Sequence, residues 1–445
     1  MNRNLLRCYE LLAPFLVALI LATCAAGANS TEKLLHHFQG GNDGAVPLAG
    51  LVADQAGNLY GTTFWGGLES GECLGDDGCG TVFQLKPPAL PNGAWSENVI
   101  YRFGPFDHPS AGLILDREGN LYGTTTYGGP SGDGIVFQLK PPATPGGSWS
   151  ERTLYNFAGG DDGATPLTTL VFDSKGNLYG TTQFGGGGPC AIFQQGSGCG
   201  TVFELTPPTT PDGAWSEAVL YSFAPYNDYP MAGLVFDRQG NLYGTTTGDQ
   251  TASFGTVFQL TPPAAPGASW TQTTLHTFGS VDQDGVTPYA GLILDRKGNL
   301  YGTTSQGGAY VSECLDTFGC GTVFELESPA NSGPWTEKIL YNFANGRDGA
   351  EPENGLIFDR AGNLYGVTGG PHLGFNGTVF SLVPPAKPNS AWTEITLHVF
   401  GKGNDGYEPG GALIFGKNSL IGTTSAGGGK CSYPSSCGIV FEIVP

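Results

Sequence analysis

Gly57-Asn58-Leu59-Tyr60-Gly61-Thr62-Thr63 is the stretch on which the reading of this 445-residue chain turns, because it does not occur once. The same seven residues begin again at Gly119, Gly176, Gly240 and Gly298. A sixth copy opens at Gly362 with Val367 in place of the first Thr, and Asn418-Ser419-Leu420-Ile421-Gly422-Thr423-Thr424 is a decayed seventh. Measured at the Asn, or at Ser419 in the last copy, the intervals are 62, 57, 64, 58, 64 and 56 residues. That period is long for a solenoid repeat and fits a propeller blade with extended loops.

Each unit divides into four strand-like pieces rich in β-branched and aromatic residues and bounded by Gly, Pro or Asp. In the second unit they are a, Ala111 to Asp116; b, Asn120 to Thr125; c, Gly134 to Leu139; and d, Trp149 to Phe157. The pattern predicts an all-β chain, a seven-bladed β-propeller with four antiparallel strands per blade. Asp-x-x-Gly-Asn between a and b is a hairpin signal, in which Gly takes a positive φ and Asp bonds back to the turn. Asp54, Asp116, Asp173, Asp237, Asp295 and Asp359 are therefore read as structural. Gly112 and Gly123, in strands a and b, suit strands that crowd near the axis. Trp95, Trp149, Trp215, Trp270, Trp335 and Trp392 share one place at the start of strand d and read as packing between blades.

The chain begins out of phase. Thr31 to Phe38 matches strand d, whereas Gly438 to Ile443, the last element, is a strand c. A ring closes if residues 31–38 complete the blade of residues 411–443, which also removes the exposed sheet edges of an open array. Residues 29–445 are thus expected to form a single propeller.

The first 28 residues read as a signal peptide: Arg3 and Arg7 precede an apolar run from Leu11 to Thr23 and a small-residue stretch ending at Ala28. The run is too short for a membrane span. No transmembrane segment is expected after cleavage, and the mature chain is expected to be secreted, periplasmic or on the cell surface, as a monomer. With 17 basic against 38 acidic residues left after Arg3, Arg7 and Glu10 depart, it carries −21 charges and would repel nucleic acid.

The eight Cys that remain fall in close pairs: Cys73 with Cys79, Cys190 with Cys199, Cys314 with Cys320, and Cys431 with Cys437. Every pair lies in the b to c loop of an odd-numbered unit. An even count in an exported chain reads as disulfides. Zinc is disfavoured at these pairs, since CxxC spacing and accompanying His are lacking.

In a propeller the b to c loops and the d to a connections share one face. The connections carry Asp43, Asp107, Asp162, Asp228, Asp284, Asp348 and Asp405, read first as a repeated turn signature and second as a ring of hard oxygen donors suited to calcium. Trp65, Tyr127 and Phe184 follow strand b on the same face and could stack on sugars. No HExxH, GxSxG or Walker loop is present, so no catalytic residue, no firm metal ligand and no cofactor beyond that calcium is expected.

The units resemble the GloVer-type tandem repeats of secreted bacterial proteins with a choice of anchor, over essentially residues 31–445. More loosely, Pro-x-x-Gly-Leu-x-x-Asp-x-x-Gly-Asn-Leu-Tyr is similar to the blade opening of NHL-type and lyase-type propellers. The resemblance implies export and no assigned chemistry. The expectation is an extracytoplasmic binding or scaffold propeller, its partner a polysaccharide or a surface protein. The alternative is a polysaccharide-active lyase or glycoside hydrolase using carboxylates of the loop face.

Overall fold

The computed structural model describes residues 30–67, 78–90, 93–144, 146–187, 198–210, 213–223, 229–248, 253–265, 267–281, 283–310, 312–314, 319–330, 333–369, 376–387, 390–401, 404–429 and 437–445. The segment expected to be a signal peptide lies outside them. Seven antiparallel sheets, each ordered a-b-c-d, form the seven blades of a propeller. Blade one runs Val52–Ala53, Leu59–Thr63, Thr81–Lys86 and Ser96–Arg102, and the next five repeat it in chain order.

Strand a has only two residues in regular pairing in every blade, shorter than the sequence pattern predicts. Its Gly-containing first half runs close to the axis, where Gly50 sits so near a neighbouring strand that a Cβ would lie 2.6 Å from the Ala412 carbonyl oxygen. The a to b turn is held as expected: in blade one Asp54 accepts from the backbone N–H groups of Ala56 and Asn58, from Asn58 Nδ2 and from Tyr60 Oη.

The last blade is closed by the first strand. Thr31–His37 pairs antiparallel with Ile439–Val444, Thr31 opposite Val444 and His37 opposite Ile439. Three short extra strands, Gly285–Val286, Gln306–Gly307 and Gly406–Pro409, tie d to a connections to the chain leaving strand b. Single bridges from Ala45 to Trp65, Ala164 to Phe184 and Tyr229 to Thr247 do the same elsewhere. Both kinds of loop therefore do emerge on one face.

The core is not inside the blades but between them. Each hydrophobic cluster joins residues of two neighbouring blades, for example Tyr60, Val82 and Phe103 of blade one with Leu121, Phe137 and Leu139 of blade two. At every junction the Phe that ends strand d meets edge-on the Phe of strand c in the next blade. The pairs are Phe38 with Phe83, Phe103 with Phe137, Phe157 with Phe203, Phe223 with Phe258, Phe278 with Phe324, Phe343 with Phe380 and Phe400 with Phe441, at 5.0 to 5.2 Å between ring centroids. Each such pair is worth about 0.5–1.5 kcal/mol beyond the area it buries. The repeated Trp adds to the same seam, as when Trp149 of blade two packs 5.9 Å from Tyr60 of blade one.

This packing assigns the Gly of strand b a different reason from the one expected. It is paired with the strand-c Phe across the ladder, as Gly180 with Phe203. A Cβ at Gly180 would lie 2.7 Å from Phe203 Cζ and 2.8 Å from Leu170 Cδ2. The absent side chain makes room for a ring, not for the axis.

Five of the eight paired Cys lie among the described residues. Cys314 and Cys320 form a disulfide with Cα atoms 5.4 Å apart. Cys79, Cys199 and Cys437 are also disulfide-bonded, while Cys73, Cys190 and Cys431, their expected partners, lie outside the described residues. No helix among the described residues is long and apolar enough to cross a membrane.

Replacing Gly180 by Ala is expected to cost about 1–3 kcal/mol, the usual price of overpacking a core, measured as the shift of the urea midpoint. Combined with Phe203→Leu, which removes the clashing ring edge, the loss should be less than additive. Equal stability of Gly180→Ala and the parent chain would contradict the packing account.

Candidate functional site

Two features of the loop face bear on function, and the first lies where blades one and two meet. Phe64 and Trp65 leave strand b of blade one, and Tyr127 leaves strand b of blade two. His108 enters between them from the connection that joins the blades. Its ring stacks on Phe64 at 5.0 Å and 25°, meets Trp65 edge-on at 4.9 Å, and stands 6.3 Å from Tyr127. The backbone fixes this group: Thr126 N–H donates to the His108 carbonyl and Tyr127 N–H to that of Asp107. His108 and Phe106 both hold positive φ, 47° and 71°, a conformation that non-Gly residues keep only under constraint. His108 is buried, whereas Tyr127 is 41% and Phe106 49% exposed. The result is a rigid aromatic patch with open edges. Phe184 does not join it; that ring pairs with Tyr229 at 5.9 Å on the boundary of blades three and four.

The second feature is an axial cavity of about 430 Å³ lined by the innermost strands of all seven blades. The residue after the repeated Pro varies, being Leu48, Ser110, Leu167, Met231, Tyr289 and Glu353 in the first six, so that only blades one and three agree. Glu353 is the one carboxylate among the described residues that line it.

The six described Asp of the connections do not ring this cavity. Each described one closes its own turn, as Asp162 accepts from Ala158 N–H at 2.7 Å and Asp348 from Ala344 N–H at 2.9 Å. It then reaches the outer strands. Tyr155 Oη donates to Asp162 at 2.7 Å and Tyr341 Oη to Asp348 at 3.0 Å, both from strand d of the preceding blade. From strand d of the following blade a Glu comes close. The junctions read Tyr101, Asp107 and Glu151; Tyr155, Asp162 and Glu217; Tyr341, Asp348 and Glu394. His replaces Tyr in His36, Asp43 and Glu97; in His276, Asp284 and Glu337; and in His398, Asp405 and Glu32. Asp228 lies outside the described residues.

Two carboxyl groups brought together and half-buried cannot both ionise easily. Burial, with the Asp162 charge next, raises the Glu217 carboxyl to about 7. Burial likewise raises Asp107 to about 6, against the pull of the Gly104 N–H. Sequence reading found the Asp of each junction and missed the Glu. The signal was there, a Glu as second residue of strand d in six of the seven repeats with Gln272 as the exception.

A family model described as a Gloeobacter/Verrucomicrobia repeat matches residues 23–194 and 72–315. No curated protein matches the sequence. Among solved structures, Sqt1 of Chaetomium thermophilum, bound to the N-terminus of ribosomal protein L10, is similar at 12% identity and TM-score 0.49, covering 88% of this chain and 85% of that one. A PQQ-bound aldose sugar dehydrogenase from Streptomyces coelicolor is similar at 14% identity and TM-score 0.40, covering 94% and 99%. A protein of unknown function from Dyadobacter fermentans is similar at 10% identity and TM-score 0.44, covering 94% and 99%. Likenesses at this level carry no argument about what the chain does.

The junction carboxyls predict a pH dependence of definite sign. A Glu raised from about 4.3 in the unfolded chain to about 7 in the folded one keeps a proton that unfolding releases. Its contribution to stability is complete below the unfolded value and is lost as pH rises through the folded one. With EDTA present, the melting temperature should fall from pH 5 to pH 8, and Glu217→Gln should make that fall smaller. An unchanged slope in the variant would contradict the assignment.

Proposed function

We propose, for a chain that belongs to the Gloeobacter/Verrucomicrobia repeat family, that it works outside the cytoplasm as a non-catalytic propeller binding polysaccharide on the loop face. The observation that carries this reading is the aromatic patch of Phe64, Trp65, His108 and Tyr127, whose rings come from two blades and are locked by backbone hydrogen bonds. Flat aromatic faces pair with the C–H faces of sugar rings, and a rigid platform loses little entropy on binding. Export is supported by the disulfide of Cys314 and Cys320 and by the other bonded Cys, which require an oxidising compartment to persist.

Glycan cleavage has less support. Hydrolysis needs two carboxyls about 5–9.5 Å apart on either side of a bound sugar. The axial cavity offers Glu353 alone among its described residues, and the paired carboxyls of the junctions are tied into turns and outer strands.

The test is an array of extracellular polysaccharides, probed with and without calcium, using the parent chain and Tyr127→Ala. Binding to a subset of polymers is expected, weakened about tenfold in the variant, in line with the loss of one stacked ring. Absence of any binding, or depolymerisation of a polymer by the parent chain, would overturn the reading.

A further inference from the structure

Three blade junctions combine His, Asp and Glu, and at two of them, unlike at His36, Asp43 and Glu97, one donor atom from each side chain converges. At the junction of blades four and five, His276 of strand d, Asp284 of the connection and Glu337 of the next strand d bring one donor atom apiece within 4.8 Å of one another. His276 Nε2 lies 3.5 Å from Asp284 Oδ2 and 3.7 Å from Glu337 Oε1. At the junction of blades six and seven the same constellation is built from His398, Asp405 and Glu32, with His398 Nε2 3.0 Å from Asp405 Oδ2. Glu32 belongs to the strand that closes the ring.

Buried donor atoms are left unpartnered at both sites, three at the first and Asp405 Oδ1 at the second, where His398 Nε2 is hydrogen-bonded to Asp405 Oδ2. The Asp284 side chain is 1% exposed; Oδ2 accepts from Ser280 N–H, while Oδ1 has no hydrogen-bond partner. His276 Nε2 and Glu337 Oε1 are also buried without one. The Asp405 side chain is 4% exposed, and its Oδ1 is unpartnered in the same way. Buried polar atoms are seldom left unpaired, and two carboxylates facing an imidazole in a half-dry seam invite a counter-charge.

We propose that each of these two junctions binds a zinc-class divalent cation through one imidazole and two carboxylates, and so staples adjacent blades together. An ion held about 2.0–2.1 Å from tetrahedral donors spaces them roughly 3.3 Å apart, close to the separations seen at His276. Imidazole with carboxylate selects zinc and its neighbours over calcium, which prefers six or more oxygens. The imidazoles are already oriented, since His276 packs edge-on against Phe278 and His398 against Phe400, both at 4.7 Å and both members of the Phe seam. Two Tyr junctions provide the control: Tyr155 donates directly to Asp162 and Tyr341 to Asp348, so no imidazole remains there as a third ligand. This site is separate from the aromatic patch and does not depend on it.

The experiment uses untagged mature protein stripped with EDTA, loaded with zinc sulfate, desalted and measured for bound metal and melting temperature. His276→Tyr and His398→Tyr reproduce side chains the fold already carries at this position, so both should fold; Glu337→Gln is a second, isosteric variant at the first site. The expected result is a loss of about one equivalent of zinc in each single variant and two in the double His variant, with a zinc-induced rise in melting temperature that shrinks in step. Calcium should give no such His-dependent rise. Equal metal content in the parent and the double variant, including none in both, would overturn the proposal, as would a His-dependent response to calcium alone.

Discussion

Everything in this molecule depends on one contact made seven times, the edge-on meeting of two buried Phe rings across each blade junction. A single blade of four short strands cannot bury a face of its own. The hydrophobic clusters accordingly fall between blades and not within them. The strand-c Phe can lie flat against its own sheet because the residue opposite is Gly, and it then offers an edge to the Phe that ends the preceding blade. Closure follows from the same contact. Phe38, just after the first strand, supplies the ring that Phe83 needs, so the ladder is complete only when the N-terminal strand docks on the last blade.

The rim of the propeller repeats with chemistry instead of hydrocarbon. Where the Phe seam reaches the outer strands, a Tyr or His, an Asp and a Glu from three separate segments converge, and their carboxyls share one damp, crowded space. At two Tyr junctions the phenol donates to the Asp. At two His junctions an imidazole nitrogen and two carboxylate oxygens converge instead, and the proposed metal sites rest on that difference between equivalent positions. The loop face departs from the repeat in another way: the aromatic patch stands at one boundary, where Phe64, Trp65, His108 and Tyr127 come together.

Much of this was legible in the sequence because it rests on local spacing. The returning Gly-Asn-Leu-Tyr-Gly-Thr-Thr fixed the blade count, the Asp-x-x-Gly-Asn turn explained itself, and the match of residues 31–38 to strand d foretold the closure. What stayed hidden involves partners from different repeats. Glu97 meets Asp43 across a junction, and Phe157 meets Phe203, and neither pair announces itself by proximity in the chain. The orientation of the connection Asp was hidden for the same reason: they recur at equal places, but the side chains of the described ones turn toward the outer strands and do not line the axial cavity.

The central claim is that the seven junctions form one cooperative ring. Hydrogen exchange on chains beginning at Asn29 and at Gln39 compares the closed ring with one lacking its closing strand. The account predicts that removing residues 29–38 lowers protection in strands c of all seven blades, not only in Ile439–Val444. Loss of protection confined to the last blade, with blades two to five unchanged, would contradict it.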